Sequence, residues 1–371
     1  MNLTPNPSRF QRIWLPGLAF KAVVIGGGYA TGRELAEYFL PSGPWGGLAA
    51  MLVATIIFSL VCAVTFLFAR RVKAWDYVTF FEQLLGPGWV LFEGAYILFI
   101  VLILAVYGAA AGAIGAALLG IAPLWGTVAL AAAIVAVVTF GNSSVERMFA
   151  YVSYLLYGVY GLFILLAFTH FGDRISAGFE RGGPWAAWMT GGAVYAGYNL
   201  IGAVVVLPVI RHLTSDRDAI VAGMVAGPLA MLPALLFFVA MIAFTPGIGA
   251  ATLPSDILLQ RLNIPLFHLL FQLMILAALL ESGASSVHAI NERIAKALRF
   301  RRNIDLGKRG RLLIALVLLI GCMFVAQRFG LVALIATGYR ALAYILIAVY
   351  VLPVLTIGVW RIIHHKEEQM V

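Results

Sequence analysis

Long apolar runs separated by short polar junctions dominate this chain, falling at about 12–40, 44–70, 87–119, 123–140, 146–171, 184–210, 218–245, 265–298, 310–327 and 330–360. Each is close to or above the roughly 20 residues a helix needs to cross hydrocarbon, and none alternates with the period of a strand. The pattern predicts an all-α integral membrane protein with ten transmembrane helices.

Two of these runs are interrupted. In the first, Val24-Ile25-Gly26-Gly27-Gly28-Tyr29-Ala30-Thr31-Gly32-Arg33-Glu34 sets four glycines mid-span and follows them with a charge pair. Each glycine weakens a helix by nearly 1 kcal/mol relative to alanine. In lipid the freed amides and carbonyls need partners that hydrocarbon cannot supply, so such a stretch lines a cavity or touches close neighbours. Gly28 and Gly32 also satisfy the small-residue spacing of simple helix packing, which leaves Arg33 and Glu34 unexplained. The second interruption is Thr190-Gly191-Gly192-Ala193-Val194-Tyr195-Ala196-Gly197-Tyr198-Asn199-Leu200-Ile201-Gly202, at the start of the sixth run.

Spans one and six are five apart and therefore enter the membrane in opposite directions. Ten spans with breaks at these two places read as two inverted five-helix repeats, 1–175 and 176–371, with a transport site at their interface. The half-helix beginning after Gly28 would point its amides at an anionic group, with Tyr29 and Thr31 beside it, while carbonyls of the preceding half would hold a cation. The expected ligand is a small carboxylate.

Composition agrees: 63% of the 371 residues are hydrophobic and 11% charged, too little polar surface for a soluble globule. The net charge of +9 lies at the ends of apolar runs and carries no expectation of nucleic-acid binding. With a cytoplasmic N-terminus, nineteen Lys and Arg fall on the inner side against four outside (Arg174, Arg181, Arg261, Arg328), with Arg33 and Arg340 inside spans. That bias predicts both termini in the cytoplasm. Seven of the eight tryptophans, Trp188 excepted, lie within a few residues of a run end, as interfacial anchors do. Cys62 and Cys322 sit in apolar runs and predict neither disulfide nor metal site. The first run reads as a retained span, not a cleavable signal. The segment 246–264 predicts a small helix outside the membrane, a lid or a connector, and 299–311 a cytoplasmic basic loop that fits anionic lipid or simple positive-inside charge.

In the eighth run Glu281, Ser285, His288 and Glu292 share one helical face. An intramembrane carboxylate is a functional candidate by default; Glu281 could carry a coupling proton, neutralise Arg33 or Arg340, or help Ser285 and Ser286 hold sodium. Glu34 is a second coupling candidate. Arg33 and Arg340 are gating candidates, since Arg340 keeps its charge and needs a carboxylate such as Glu34, Glu37 or Glu281, with Glu93 assigned to an inner gate. Tyr107 in the third run either packs or meets substrate. No HExxH, Walker or kinase pattern exists, and Ser285/His288 are helical neighbours, so no enzyme is expected.

GGGYATGRE, YAGYN and ESGASS together resemble the YkvI-type membrane proteins, a bacterial group related to the amino acid–polyamine–organocation transporters of the LeuT-type fold. The resemblance implies that Gly26, Gly27 and Gly28 bind a substrate carboxylate, that Tyr195, Tyr198 and Asn199 join the same pocket, and that Tyr107 is the helix-three tyrosine. It also implies a sodium site at Ser285 and Ser286. This chain departs from the pattern in Ala284, where a threonine often stands, in Glu281 just before it, and in a fifth run without lysine. The function implied is a secondary active symporter of an amino acid or similar small carboxylate in the bacterial inner membrane, with spans one, two, six and seven rocking against three, four, eight and nine. It needs no cofactor beyond a sodium ion or proton, and dimerisation stays open. The alternative is a non-transporting channel-like or receptor-like protein of the same fold.

Overall fold

Away from water every backbone amide and carbonyl must be satisfied within the chain, and helices do this segment by segment. A computed structural model describes residues 7–140, 143–302 and 306–368, without the side chains of 140–154, 300–302 and 365–368 or residue 27. The first run is a π-helical turn, Phe10–Trp14, then α1 (Leu15–Val24), α2 (Gly27–Ala30) and α3 (Arg33–Tyr38). After α4 (Gly43–Arg71) comes the short α5 (Tyr77–Leu85), started by Asp76, whose carboxylate accepts from the Thr79 amide. Three long helices follow: α6 (Trp89–Leu119), α7 (Pro123–Phe140) and α8 (Ser143–Arg181).

The second half opens with α9 (Trp188–Asn199) and α10 (Ile201–Val205), and then α11 (Asp216–Ile242), whose start is fixed by a Ser215/Asp218 capping box. The expected outer segment folds as a 3-10 turn, Gly247–Ala250, and α12 (Pro254–Leu262). The chain ends with α13 (Pro265–Arg302), α14 (Lys308–Ala333), α15 (Arg340–Leu346) and α16 (Val359–Glu368), the last three joined through π-helical turns.

Among the described residues six helical stretches are long and apolar enough to cross a membrane, and Pro123–Thr139 is a shorter apolar one. The stretch Lys308–His364 holds 57 residues; at 1.5 Å per residue it would reach about 85 Å against roughly 30 Å of hydrocarbon. It turns at Gly330 (φ 71, ψ 168) and supplies two spans. With the interrupted first and sixth runs, this multi-pass protein accommodates the ten expected crossings. One boundary moves: residues 175 and 176 lie inside α8, which continues to Arg181. The basic loop also shrinks, because α13 runs to Arg302 and α14 begins at Lys308; residues 303–305 lie outside those described.

Two helix groups emerge from the packing. In one, α4 lies along α11, α11 along α1, and α4 against α9; in the other, α6 packs on α7 and α14, and α13 on α7 and α8. These are spans one, two, six and seven, and spans three, four, eight and nine; α8, the fifth span, packs on α11 as well as on α13, and α15 bridges to α9 and α6. Small residues set the closest approaches: a Cβ on Gly223 would lie 2.3 Å from the Ala63 backbone, and one on Gly126 2.4 Å from the Ala111 carbonyl. On the side carrying the N-terminus, Arg12 pairs with Asp218 (3.3 Å), and Arg70 and Arg71 converge on Asp216, tying spans one, two and seven.

Candidate functional site

The first break has two steps. At Ile25 (ψ 78) the chain leaves α1; Gly26 then donates its amide to the Val24 carbonyl (2.9 Å) and accepts from Ala30 (2.9 Å). Gly27 begins the one-turn α2. The Thr31 hydroxyl donates to the Gly28 carbonyl (2.8 Å), and Gly32 takes the left-handed conformation (φ 76) before α3 starts.

That second step folds Glu34 back onto the break. Its carboxylate accepts from the Tyr198 hydroxyl (2.6 Å) and faces the backbone amide of Tyr29. A Cβ on Gly28 would stand only 2.2 Å from Glu34 Oε1. The backbone expected to receive a ligand carboxylate therefore meets one that belongs to the chain. Glu34 is 3% exposed. No cation pairs with it among the described residues, because Arg33 goes to Glu37 (2.9 Å), and Arg340 to Glu37 as well (3.6 Å).

The sixth run breaks near the end of the expected segment 190–202. Gly191 and Gly192 lie inside α9, where added Cβ atoms would meet the Tyr38 carbonyl at 2.2 Å and the Ala50 carbonyl at 2.3 Å. They allow close packing, and the interruption falls at Leu200. That places Tyr198 and Asn199 at the centre. Tyr195 is buried one turn earlier against Phe39 (ring centroids 4.9 Å), its hydroxyl unpartnered, and the Asn199 amide donates to the Tyr195 carbonyl (3.0 Å).

Around Glu34 lies a closed central cavity of about 20 Å³, lined by Gly26, Tyr198, Asn199, Tyr339, Phe99 and aliphatic side chains. Next to it, sharing Val23, Phe99 and Ile103, a cavity of about 350 Å³ extends towards the N-terminal side, and Tyr107, Glu281, Ser282, Ser285 and Ser286 are on its wall. The Tyr107 hydroxyl would lie 3.4 Å from a Cβ on Gly26. Tyr29 lines neither cavity; its ring faces Tyr160 (6.3 Å).

On the opposite side the centre is sealed. The Arg33 guanidinium donates to the carbonyls of Gly249 (2.7 Å) and Ala251 (2.8 Å), and the Ser255 amide to the Thr31 carbonyl (3.0 Å), so the 246–264 segment is docked on span one. Tyr38 donates to the Ile335 carbonyl (2.6 Å), linking spans one and ten. Asp256 holds the segment from behind through His268 (2.7 Å) and Gln272 (2.9 Å). Arg33→Ala removes the main clasp on this segment, and amide hydrogen exchange over 247–256 is expected to rise on the order of tenfold or more, with α7 as the unchanged internal control.

Of the sequence-derived residues, Gly26, Gly28, Glu34, Tyr198, Asn199 and, one layer out, Tyr107 and Tyr195 come together, and Arg33 and Arg340 meet through Glu37 at the seal. Glu281 joins neither arginine. It shares a cavity wall with Ser285, whereas Ser286 donates to the Ser282 carbonyl (2.8 Å). His288 is exposed; Glu292 pairs with Arg311, and Glu93 with Arg293 (3.1 Å), the latter against the rings of Tyr77 and Tyr96. Sequence reasoning missed Tyr38, Tyr339 and Ser282. Only Ser282 had a signal, its place inside ESGASS.

No protein-family model matches the chain. It is similar to the uncharacterized membrane protein YkvI of Bacillus subtilis (strain 168), at 23% identity over 345 residues, 89% of this chain and 92% of the relative. Among solved structures it resembles MhsT in complex with L-phenylalanine (TM-score 0.61, 15% identity, 97% of this chain and 98% of that one). A substrate-bound, outward-open Na+-coupled sialic acid symporter matches at TM-score 0.62 and 15% identity, over 91% and 78% of the two chains. A manganese transporter from Eremococcus coleocola matches at TM-score 0.55 and 14% identity, over 96% and 81%. The fold is of the LeuT type, and two of these solved neighbours are named as transporters.

Proposed function

We propose that this chain is a secondary active transporter working by alternating access, whose substrate binds between spans one, three, six and ten. The observation that carries this reading is the buried polar centre at the broken first helix, sealed on the lid side and adjoined on the other by a cavity of about 350 Å³. A centre of only about 20 Å³, with the 246–264 segment docked on one side of it, favours a carrier over a channel. Similarity to transporters of the same fold supports it.

The substrate is an amino acid or similar small carboxylate, coupled to sodium or protons and moved across the bacterial inner membrane with both termini in the cytoplasm. The lid then faces outward, and the larger cavity faces the cytoplasm. Uptake by the purified protein in proteoliposomes, across an amino-acid panel with imposed sodium or proton gradients, tests the reading; transport of no solute under either gradient would sink it.

Coupling can be separated by mutation. If sodium is used, Ser285→Ala with Ser286→Ala weakens sodium-dependent uptake by roughly tenfold or more, the loss of two hydroxyl ligands at about 1 kcal/mol each. If protons are used through Glu281, Glu281→Gln removes the proton-driven component and the double serine variant retains it.

A further inference from the structure

We propose that Glu34 is the counter-charge for the ammonium group of a small organic amine, which binds in exchange for a proton on the same carboxylate. This rests on reading the broken-helix centre as the substrate site and names the group recognised there.

A buried carboxylate is tolerated only with a partner of opposite charge or with a proton. Glu34 is buried and has one hydroxyl donor, Tyr198, but no cationic partner among the described residues. It lines a cavity large enough for an ammonium-sized group, adjacent to a larger, mainly apolar one walled by Ala22, Val23, Ile25, Ile100 and Leu156, with Glu281 and Ser285 also on its wall. An amine head at Glu34 would leave its hydrocarbon body in that second space.

The chemistry of the walls separates an ammonium from a metal ion. Hard cations take six or more oxygens in the case of calcium, and an octahedral set for magnesium. Besides Glu34, Asn199 and Gly26 the central cavity presents Phe99, Tyr198 and Tyr339 with aliphatic side chains, and the Tyr198 and Tyr339 rings lie 4.6 Å apart. Aromatic faces beside a carboxylate suit an organic ammonium. The titratable groups facing Glu34 are the hydroxyls of Tyr29, Tyr38, Tyr107, Tyr195, Tyr198 and Tyr339. Arg33, next in sequence, is committed to Glu37 and the lid carbonyls.

The exchange balances. With the site empty Glu34 carries one proton and is neutral; the ammonium ion enters with its own charge, and the Glu34 proton leaves to solvent. Proton and amine exclude one another, which couples their movements in opposite directions.

The test uses the purified full-length chain and a panel in which each amino acid is accompanied by the amine left on decarboxylation and the acid left on deamination. Ligands that bind the folded state raise its melting temperature with concentration. At least one amine is expected to stabilise the protein while its deaminated acid does not. In weak buffer about one proton should appear per bound amine. Glu34→Gln should weaken amine binding on the order of a hundredfold and abolish the proton release; wild-type proton release decides the matter if that variant does not fold. Sodium alone is a further arm, and a sodium-only response overturns the proposal. So does binding of acids lacking an amine in preference to amines, amine binding without proton release, or no response to any compound. Uptake of such acids in proteoliposomes would leave the transporter reading standing, whereas absence of all uptake would remove that reading as well.

Discussion

Gly28→Ala is expected to abolish transport, while Gly26→Ala two residues away retains most of it. The added methyl at position 28 would lie 2.2 Å from Glu34 Oε1 and 3.0 Å from its Cδ, inside any permitted contact. Relief requires Glu34 to leave Tyr198, which strands a carboxylate in an apolar cluster, or the first helix to shift away from α9. Overpacking of this kind costs about 1–3 kcal/mol, and here all of it falls on the arrangement of the site. At position 26 the nearest atom is the Tyr107 hydroxyl at 3.4 Å, a contact that a side chain's end can yield. Uptake measured at matched protein levels in proteoliposomes checks both. Full activity in Gly28→Ala would mean that the Glu34 carboxylate does not sit against the break.

Gly227→Val is expected to prevent stable folding altogether. Its Cβ would lie 2.4 Å from the Thr55 carbonyl and 2.3 Å from Ser59 Oγ, where α11 crosses α4. The hydroxyl of Ser59 is already committed to the Met224 carbonyl (2.9 Å) across the same contact. Since a backbone carbonyl cannot rotate aside, the helices must separate. A penalty of about 2 kcal/mol changes the folded-to-unfolded ratio roughly thirtyfold, and a β-branched side chain here exceeds it. Fluorescence-detected size exclusion from detergent extracts should show a collapsed monodisperse peak. Gly94→Val, where nothing lies within 4 Å of the added Cβ, should leave the peak unchanged.

The two halves of the site differ in how readable they were. The first break was legible because mid-span glycines followed by charges have no stable place in lipid, and the short helix of 246–264 because Pro and Gly punctuate that segment. Arg33 was legible as a residue that needs a partner, yet its carbonyl partners at Gly249 and Ala251 lie more than two hundred residues away, and no local rule links them. The sixth break was legible as a segment, 190–202, within which it falls at Leu200, but not to the residue. A glycine pair looks the same whether it frees a backbone or admits another one, and Gly191 and Gly192 do the second against Tyr38 and Ala50.

By itself the sequence determined the solvent, the crossing segments and the positions where helices cannot continue. Those follow from hydropathy, length and backbone propensity, which act within about twenty residues. The tertiary structure decided what meets the broken backbone. Glycines after a helix break predict a ligand's carboxyl group, and the fold supplied one of its own from six residues further on, because Gly32 turns α3 so that Glu34 packs against Gly28 and Tyr198. Which partner reaches an exposed amide depends on how helices cross in space, and that is set by contacts between the first and sixth spans that neither segment encodes alone.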